Sequence, residues 1–264
     1  MKKILALICF SFLSLNFANA EVTLGISGNV GLLSADGKET ISGDTGGDVV
    51  WGATAAAART AATATAATTQ KKSDDVAIGY VSLFGELGVF NTGLRLGVSY
   101  VPYALESETT SNDRRDNCSS SETHVQVSES TTTTDNNICT VTKNKVQVDL
   151  EDLISMYVAY HHELDAPFIS SVFIKAGLIE ADVITNEKLA SGSNYGNTSL
   201  SGEFIGVGVE KNLEEQGLFI RFEGNLTEFD SIKLVNSNGG TNSNTINISG
   251  MDGATATLSI GKTF

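Results

Sequence analysis

Few residues of this chain have types that do chemistry, and three of them are histidines. His124 sits among Ser121, Glu122 and Ser128, the types that serve as base, nucleophile and acid in hydrolysis. The same types recur in any Ser/Thr-rich stretch, so the grouping reads as a solvated loop. His161, His162 and Glu163 are metal-ligand types. Adjacent residues on a strand point to opposite faces, so the two imidazoles do not share one ion. They read as girdle and turn residues. The acidic run DGKETISGDTGGD (36–48) lacks the ligand spacing of a twelve-residue calcium loop. No glycine motif for cradling phosphate occurs, and GVGVEK reads as strand. The expectation is a protein that is not an enzyme and holds no cofactor and no metal.

Two groups remain. Cys118 and Cys139 are an even pair in a polar stretch, and in an exported chain they predict a disulfide. Glu86, Arg95, Lys175, Arg221 and Glu223 are charges set inside otherwise alternating segments. What they do depends on which face of those segments they occupy.

Eight segments alternate with period two. They span 22–33, 77–89, 93–103, 146–161, 168–180, 199–211, 217–229 and 254–264. In the third, Leu94, Leu96, Val98 and Tyr100 share one face and Arg95 the other. In the seventh, Leu218, Ile220, Phe222 and Leu226 oppose Phe219, Arg221, Glu223, Asn225 and Thr227. Glu86 and Lys175 likewise lie opposite apolar faces. All five charges therefore fall on one side of a closed sheet, with apolar residues on the other. Mixed signs predict a network of ion pairs, because an unpaired buried charge costs several kcal/mol. Two residues depart from the pattern. Lys262 shares the apolar register beside Phe264, and Asp152 falls on the apolar face at an outer interface or a bulge.

The connections are short, then long, in alternation. Short links lie near Phe90-Asn91-Thr92, at HELDAP (162–167) and at NLEEQ (212–216). Long links span 34–76, 104–145, 181–198 and 230–253. That asymmetry is the layout of an outer-membrane barrel with short periplasmic turns and long outer loops. The first long link holds the Ala/Thr-rich tract 53–70, a weak helix or a disordered stretch.

Residues 1–20 read as a signal peptide: basic at Lys2 and Lys3, then apolar, closing on Ala18-Asn19-Ala20. No later run is apolar enough for a spanning helix. With 31 acidic against 17 basic residues, the formal charge is -14, which argues against a nucleic-acid partner. It does not argue against a membrane, since barrels carry no continuous apolar block. The expected domains are the signal peptide (1–20) and one outer-membrane β-barrel (21–264). The fold class is all-β, an eight-stranded antiparallel transmembrane barrel.

The leader, the eight strands, the turn asymmetry and the terminal Phe264 together resemble the small outer-membrane barrels of OmpA, OmpX and opacity-protein type. NKVQVDLEDL (144–153), IKAGLIEADV (174–183) and FDSIKL (229–234) are also similar to uncharacterised barrels of marine alphaproteobacteria. The resemblance implies a bacterial outer-membrane location and contact with outer-membrane lipid and lipopolysaccharide. It also implies that Phe264 is the C-terminal insertion signal read by the barrel-insertion machinery. Lys262 departs from the aromatic preferred two residues earlier. The expected function is a structural or surface-interaction barrel with an ion-paired interior and acidic loops open to an extracellular ligand. A narrow channel for small solutes is the alternative, and an outer-membrane enzyme the third reading.

Overall fold

The computed structural model describes residues 21–41, 68–89, 92–116, 140–188, 194–213, 217–236 and 245–264. Residues 1–20, Cys118, Cys139, His124 and most of the Ala/Thr-rich tract lie outside them. The elements are β1 (Val22–Ile41), β2 (Thr68–Val89), β3 (Leu94–Tyr100), β4 (Leu105–Glu106), β5 (Thr110–Asp116) and β6 (Thr140–Glu163). They continue with β7 (Ser171–Lys188), β8 (Thr198–Leu213), β9 (Leu218–Phe229), β10 (Ile232–Val235) and β11 (Thr245–Thr263). Eight of them, β1-β2-β3-β6-β7-β8-β9-β11, form an antiparallel ring, and β11 closes on β1 from Thr23↔Thr263 to Thr40↔Thr245.

The alternation sorts side chains as a closed sheet requires. Leu24, Ile26, Leu83, Leu96, Val158, Ile174, Val207, Phe222 and Leu258 are exposed. Ser27, Phe84, Tyr157, Phe173, Phe204, Arg221 and Thr257 are buried inside the ring. The interior is narrow, and the chain fills it by pairing large with small. Phe84 lies across from Gly25, Tyr157 from Gly97, Phe173 from Gly208, Phe204 from Gly177, and Phe219 from Gly261. Each ring covers the glycine of the neighbouring strand, so a Cβ there would fall within it.

The strands run well past the alternating segments. β1 continues from 33 to Ile41, β2 begins at Thr68, and β6 begins at Thr140. Much of the expected long loops is therefore ribbon, and β5 pairs with β6 from Thr110↔Val146 to Asp116↔Thr140. The cause is exposure on both faces. Residues 71–77 of β2 are exposed throughout, so neither face selects apolar side chains and no alternation marks the strand. At other ends the strands are shorter than expected. β3 stops at Tyr100, before Pro102, and β7 starts at Ser171, leaving Phe168 in the turn.

At the long-loop end the ring divides into two sheets. Above Tyr100 the chain leaves β2 but stays on β6, first through Val101 N–H to Leu153 O (2.9 Å) and then through β4 and β5. Above Ser201, which accepts from Asp230 N–H at 2.8 Å, β8 and β10 share no ladder. Between the two sheets lies an apolar cluster of Val183 and Leu200 from one and Ile232, Leu234 and Met251 from the other. Two bulges make this possible by changing which parity faces inward. One follows Glu151, where Asp152 takes φ 50 and accepts from the Tyr100 hydroxyl at 3.1 Å. The other is at Gly250, φ 57, opposite Ala35. Below them even-numbered Met156 and Val158 face outward, whereas even-numbered Leu150, Ile246 and Ile248 pack on the cluster.

Where β3 departs, Val81 N–H donates to the Tyr103 hydroxyl at 2.6 Å in place of a ladder partner. Tyr103→Phe removes only that acceptor. Amide exchange at Val81 is expected to accelerate at least tenfold, with little change in global unfolding. Unchanged exchange would show that another group covers the amide.

Candidate functional site

The interior below the apolar cluster holds a set of bonded hydroxyls on β1 and β11 and, toward the short-turn end, a group of charges. Parity places every member. Glu86 on β2, Arg95 on β3, Lys175 on β7, Glu210 on β8, and Arg221 and Glu223 on β9 all point inward from alternating strands, three acids against three bases. Arg221 is the centre. Its Nη1 and Nη2 donate to the two oxygens of Glu86 at 2.6 and 2.9 Å. Its Nε and Nη2 also reach Glu210 Oε2 at 3.0 and 2.8 Å. A planar guanidinium suits this two-sided grip, which an ammonium does not reproduce. Phe84, Phe173 and Phe219 surround its carbon at 5.4, 5.1 and 5.0 Å, so the charge sits in a box of ring faces.

Arg95 joins the edge of this group, with Nη1 3.5 Å from Glu86 and 3.7 Å from Glu210. Lys175 and Glu223 form a separate pair at 2.6 Å, and Asn225 donates to the same carboxylate at 3.1 Å. The Lys175 ammonium lies 4.5 Å from the Tyr157 ring centre, and the Tyr157 hydroxyl donates to Glu86 at 2.9 Å. Tyr157 thus touches both ion groups. Glu210 and Tyr157 are members that the five-charge set did not contain. The parity of GVGVEK, with Gly206 and Gly208 inward, is the signal that marks Glu210.

On β1 and β11 the inward residues are small and bonded to one another. Ser27 and Ser259 hydroxyls meet at 2.8 Å, Thr257 donates to Asn29 at 2.7 Å, and Asn29 donates to Ser82 at 3.1 Å. These residues, with Lys175, Arg221 and Glu223, line a cavity of about 60 Å³, room for a handful of waters. The arrangement can order water and hold the strands in register. No group of three or more metal-ligand side chains occurs among the described residues.

His161 departs from its expected girdle role. It is buried inside the ring, stacked on Phe173 with centroids 4.7 Å apart, while His162 is exposed on the outer face. Its parity with Tyr157 and Ala159 puts it there. Phe264 is exposed at the seam, its backbone N–H bonded to Val22 O at 2.9 Å. Lys262 is exposed beside it, its ammonium 5.1 Å from the Phe264 ring centre. Cys118 and Cys139 lie outside the described residues.

No protein-family model matches the chain, and no curated protein matches its sequence. Among solved structures it is similar to the outer membrane protease OmpT from Escherichia coli. That match has 13% identity and a TM-score of 0.31, covering 92% of this chain and 97% of that one. It is also similar to a Pseudomonas aeruginosa FadL homologue, at 8% identity and a TM-score of 0.24 over 90% of each chain. At these scores the likenesses carry no functional argument. The strand pairing of the chain itself makes it an eight-stranded antiparallel β-barrel.

Proposed function

We propose that this chain is an outer-membrane β-barrel that holds a closed interior and serves as a structural or surface-interaction element. One observation carries the proposal: all eight ring strands present large apolar side chains outward as one continuous belt. On β1 the belt runs from Val22 to Leu32. That is about 33 Å along the strand, or about 25 Å along the axis at a tilt of about 40°, the height of a lipid-facing band. Tyr160, Phe168 and Phe264 are exposed at the short-turn end, where an aromatic girdle meets an interface. The short turns then face the periplasm and the long ribbons face outward, in reach of lipopolysaccharide and extracellular ligands. Phe264 serves as the insertion signal, and no catalytic step is part of the function.

A closed barrel pairs its backbone internally and resists detergent. Unboiled protein is expected to migrate apart from boiled protein on a denaturing gel and to fractionate with outer membranes. Identical migration together with recovery in the soluble fraction overturns the proposal. The narrow-channel reading draws on the hydroxyl-lined cavity. In planar bilayers the closed interior is expected to give no steady conductance, and uniform single-level openings would favour the channel instead.

A further inference from the structure

Above Leu83 the ring opens, and β2 becomes the edge of a sheet. β3 pairs with it only from Leu83↔Tyr100 to Val89↔Leu94, and among the described residues no strand takes over where β3 leaves. On its other side the ladder to β1 runs without a register shift to Ile41↔Thr68. Val81 N–H points to the free side, where it meets the Tyr103 hydroxyl. Backbone groups of an antiparallel strand alternate in direction, so Gly79, Ala77, Asp75, Ser73 and Lys71 present their N–H and C=O groups to that same side. Residues 71–77 are exposed throughout. The result is a solvent-facing row of backbone donors and acceptors, the template onto which another strand adds.

Edges of this kind are commonly blunted by charges of one sign, usually Lys, which repel a second copy. The charge order here does the opposite. Lys71-Lys72-Ser73-Asp74-Asp75 changes sign about Ser73. When a second β2 is laid antiparallel with Ser73 opposite Ser73, each Lys71 meets an Asp75 and each Lys72 meets an Asp74. Every charged pair across the two-fold axis is then of opposite sign, which favours cross-strand pairing. The backbone agrees with that register. Ser73 faces the free side, so the two Ser73 residues exchange both N–H···O bonds about the axis. Within one chain Lys72 already contacts Asp74, but the two side chains are 80% and 59% exposed, so changing partners costs little.

We propose that this edge pairs with the same edge of a second copy, giving a two-fold dimer joined by an antiparallel β2–β2 ladder centred on Ser73. β2 runs toward the short-turn end, so its antiparallel partner belongs to a barrel pointing the other way. The two copies meet by their long-loop ends. The pairing rests on the free edge and its charge order, independently of the membrane assignment. The test is sedimentation of the folded full-length protein in detergent over a range of concentrations. A monomer–dimer equilibrium is expected, weakened by salt. Lys71→Glu with Lys72→Glu, and separately Asp74→Lys with Asp75→Lys, set like charges across the axis. Each variant alone is expected to raise the dimer dissociation constant at least tenfold. Mixed in equal amounts, the two present only opposite charges to each other, and dimers are expected to return at close to the parent constant. Ser73→Pro removes an edge N–H at a position where proline is tolerated, and is expected to abolish the dimer without lowering the unfolding midpoint. A parent protein that stays monomeric at every concentration overturns the proposal, even if its edge takes up an unrelated extended peptide. Charge variants that dimerise like the parent, or a mixture that stays monomeric, overturn it as well.

Discussion

Arg221→Ala is expected to destabilise the folded barrel by about 3–5 kcal/mol, the cost of removing one partner from a buried charge group. The side chain is 2% exposed and holds Glu86 and Glu210 together through four contacts of 3.0 Å or less. Removing it leaves two carboxylates side by side with only the edge of Arg95 between them. The cost comes from stranded charge rather than lost attraction, which gives the prediction its control. Arg221→Met and Arg95→Met combined with Glu86→Gln and Glu210→Gln remove the whole charge group, strand no ion, and are expected to recover most of the loss. Urea unfolding of the detergent-folded protein measures both. A loss below about 1 kcal/mol for Arg221→Ala would mean that water already reaches the carboxylates, and the interior would then be open rather than closed.

Gly97→Val is expected to cost about 3 kcal/mol, the upper end for overpacking. A Cβ at Gly97 falls within the Tyr157 ring. That ring cannot swing aside freely, because its hydroxyl is bonded to Glu86 and its face meets the Lys175 ammonium and the Phe204 edge. The strain should therefore spread into both ion groups. Gly224→Ala is the control. It is exposed on the outer face, and no atom lies within 4 Å of the added Cβ, so stability should change by less than about 0.5 kcal/mol. Equal losses at the two positions would show that the interior has room to give.

The difference between those glycines could be seen only in part before the fold was known. Parity along GLRLGVSY assigns Gly97 to the interior, because Leu96 and Val98 claim the other side. Nothing in that stretch names Tyr157 as the residue above it. The pairing depends on register across β3 and β6, which turn geometry and bulges set. Glu210 illustrates the same limit. Its inward parity is legible in GVGVEK, but its bond to Arg221 requires the β8–β9 register. His161 was legible by parity and was masked by its neighbours, since His-His-Glu at a strand end looks like a rim. The apolar cluster was hidden for a different reason. Leu150, Ile246 and Ile248 lie beyond bulges, and each bulge reverses the parity on which a facing assignment rests. The ribbon of β2 was hidden by its solvation, because a strand exposed on both faces shows no hydropathy period.

Seven of the eight ring ladders join strands that follow one another around the ring in chain order, so each can form as a local hairpin or meander. The ladder between β1 and β11 is different, since Thr23 meets Thr263 across 240 residues. Bringing such distant segments together from a flexible chain costs about 5 kcal/mol in the length-dependent part of loop closure. Formation of the other ladders shortens that search by curling the sheet until its two edges approach. The Ser27–Ser259 and Thr257–Asn29 bonds then act as a zipper between edges already near one another. In kinetic terms β1 to β11 is the non-local contact that sets the contact order of the molecule. Until it forms, the sheet carries two unpaired edges open to other chains.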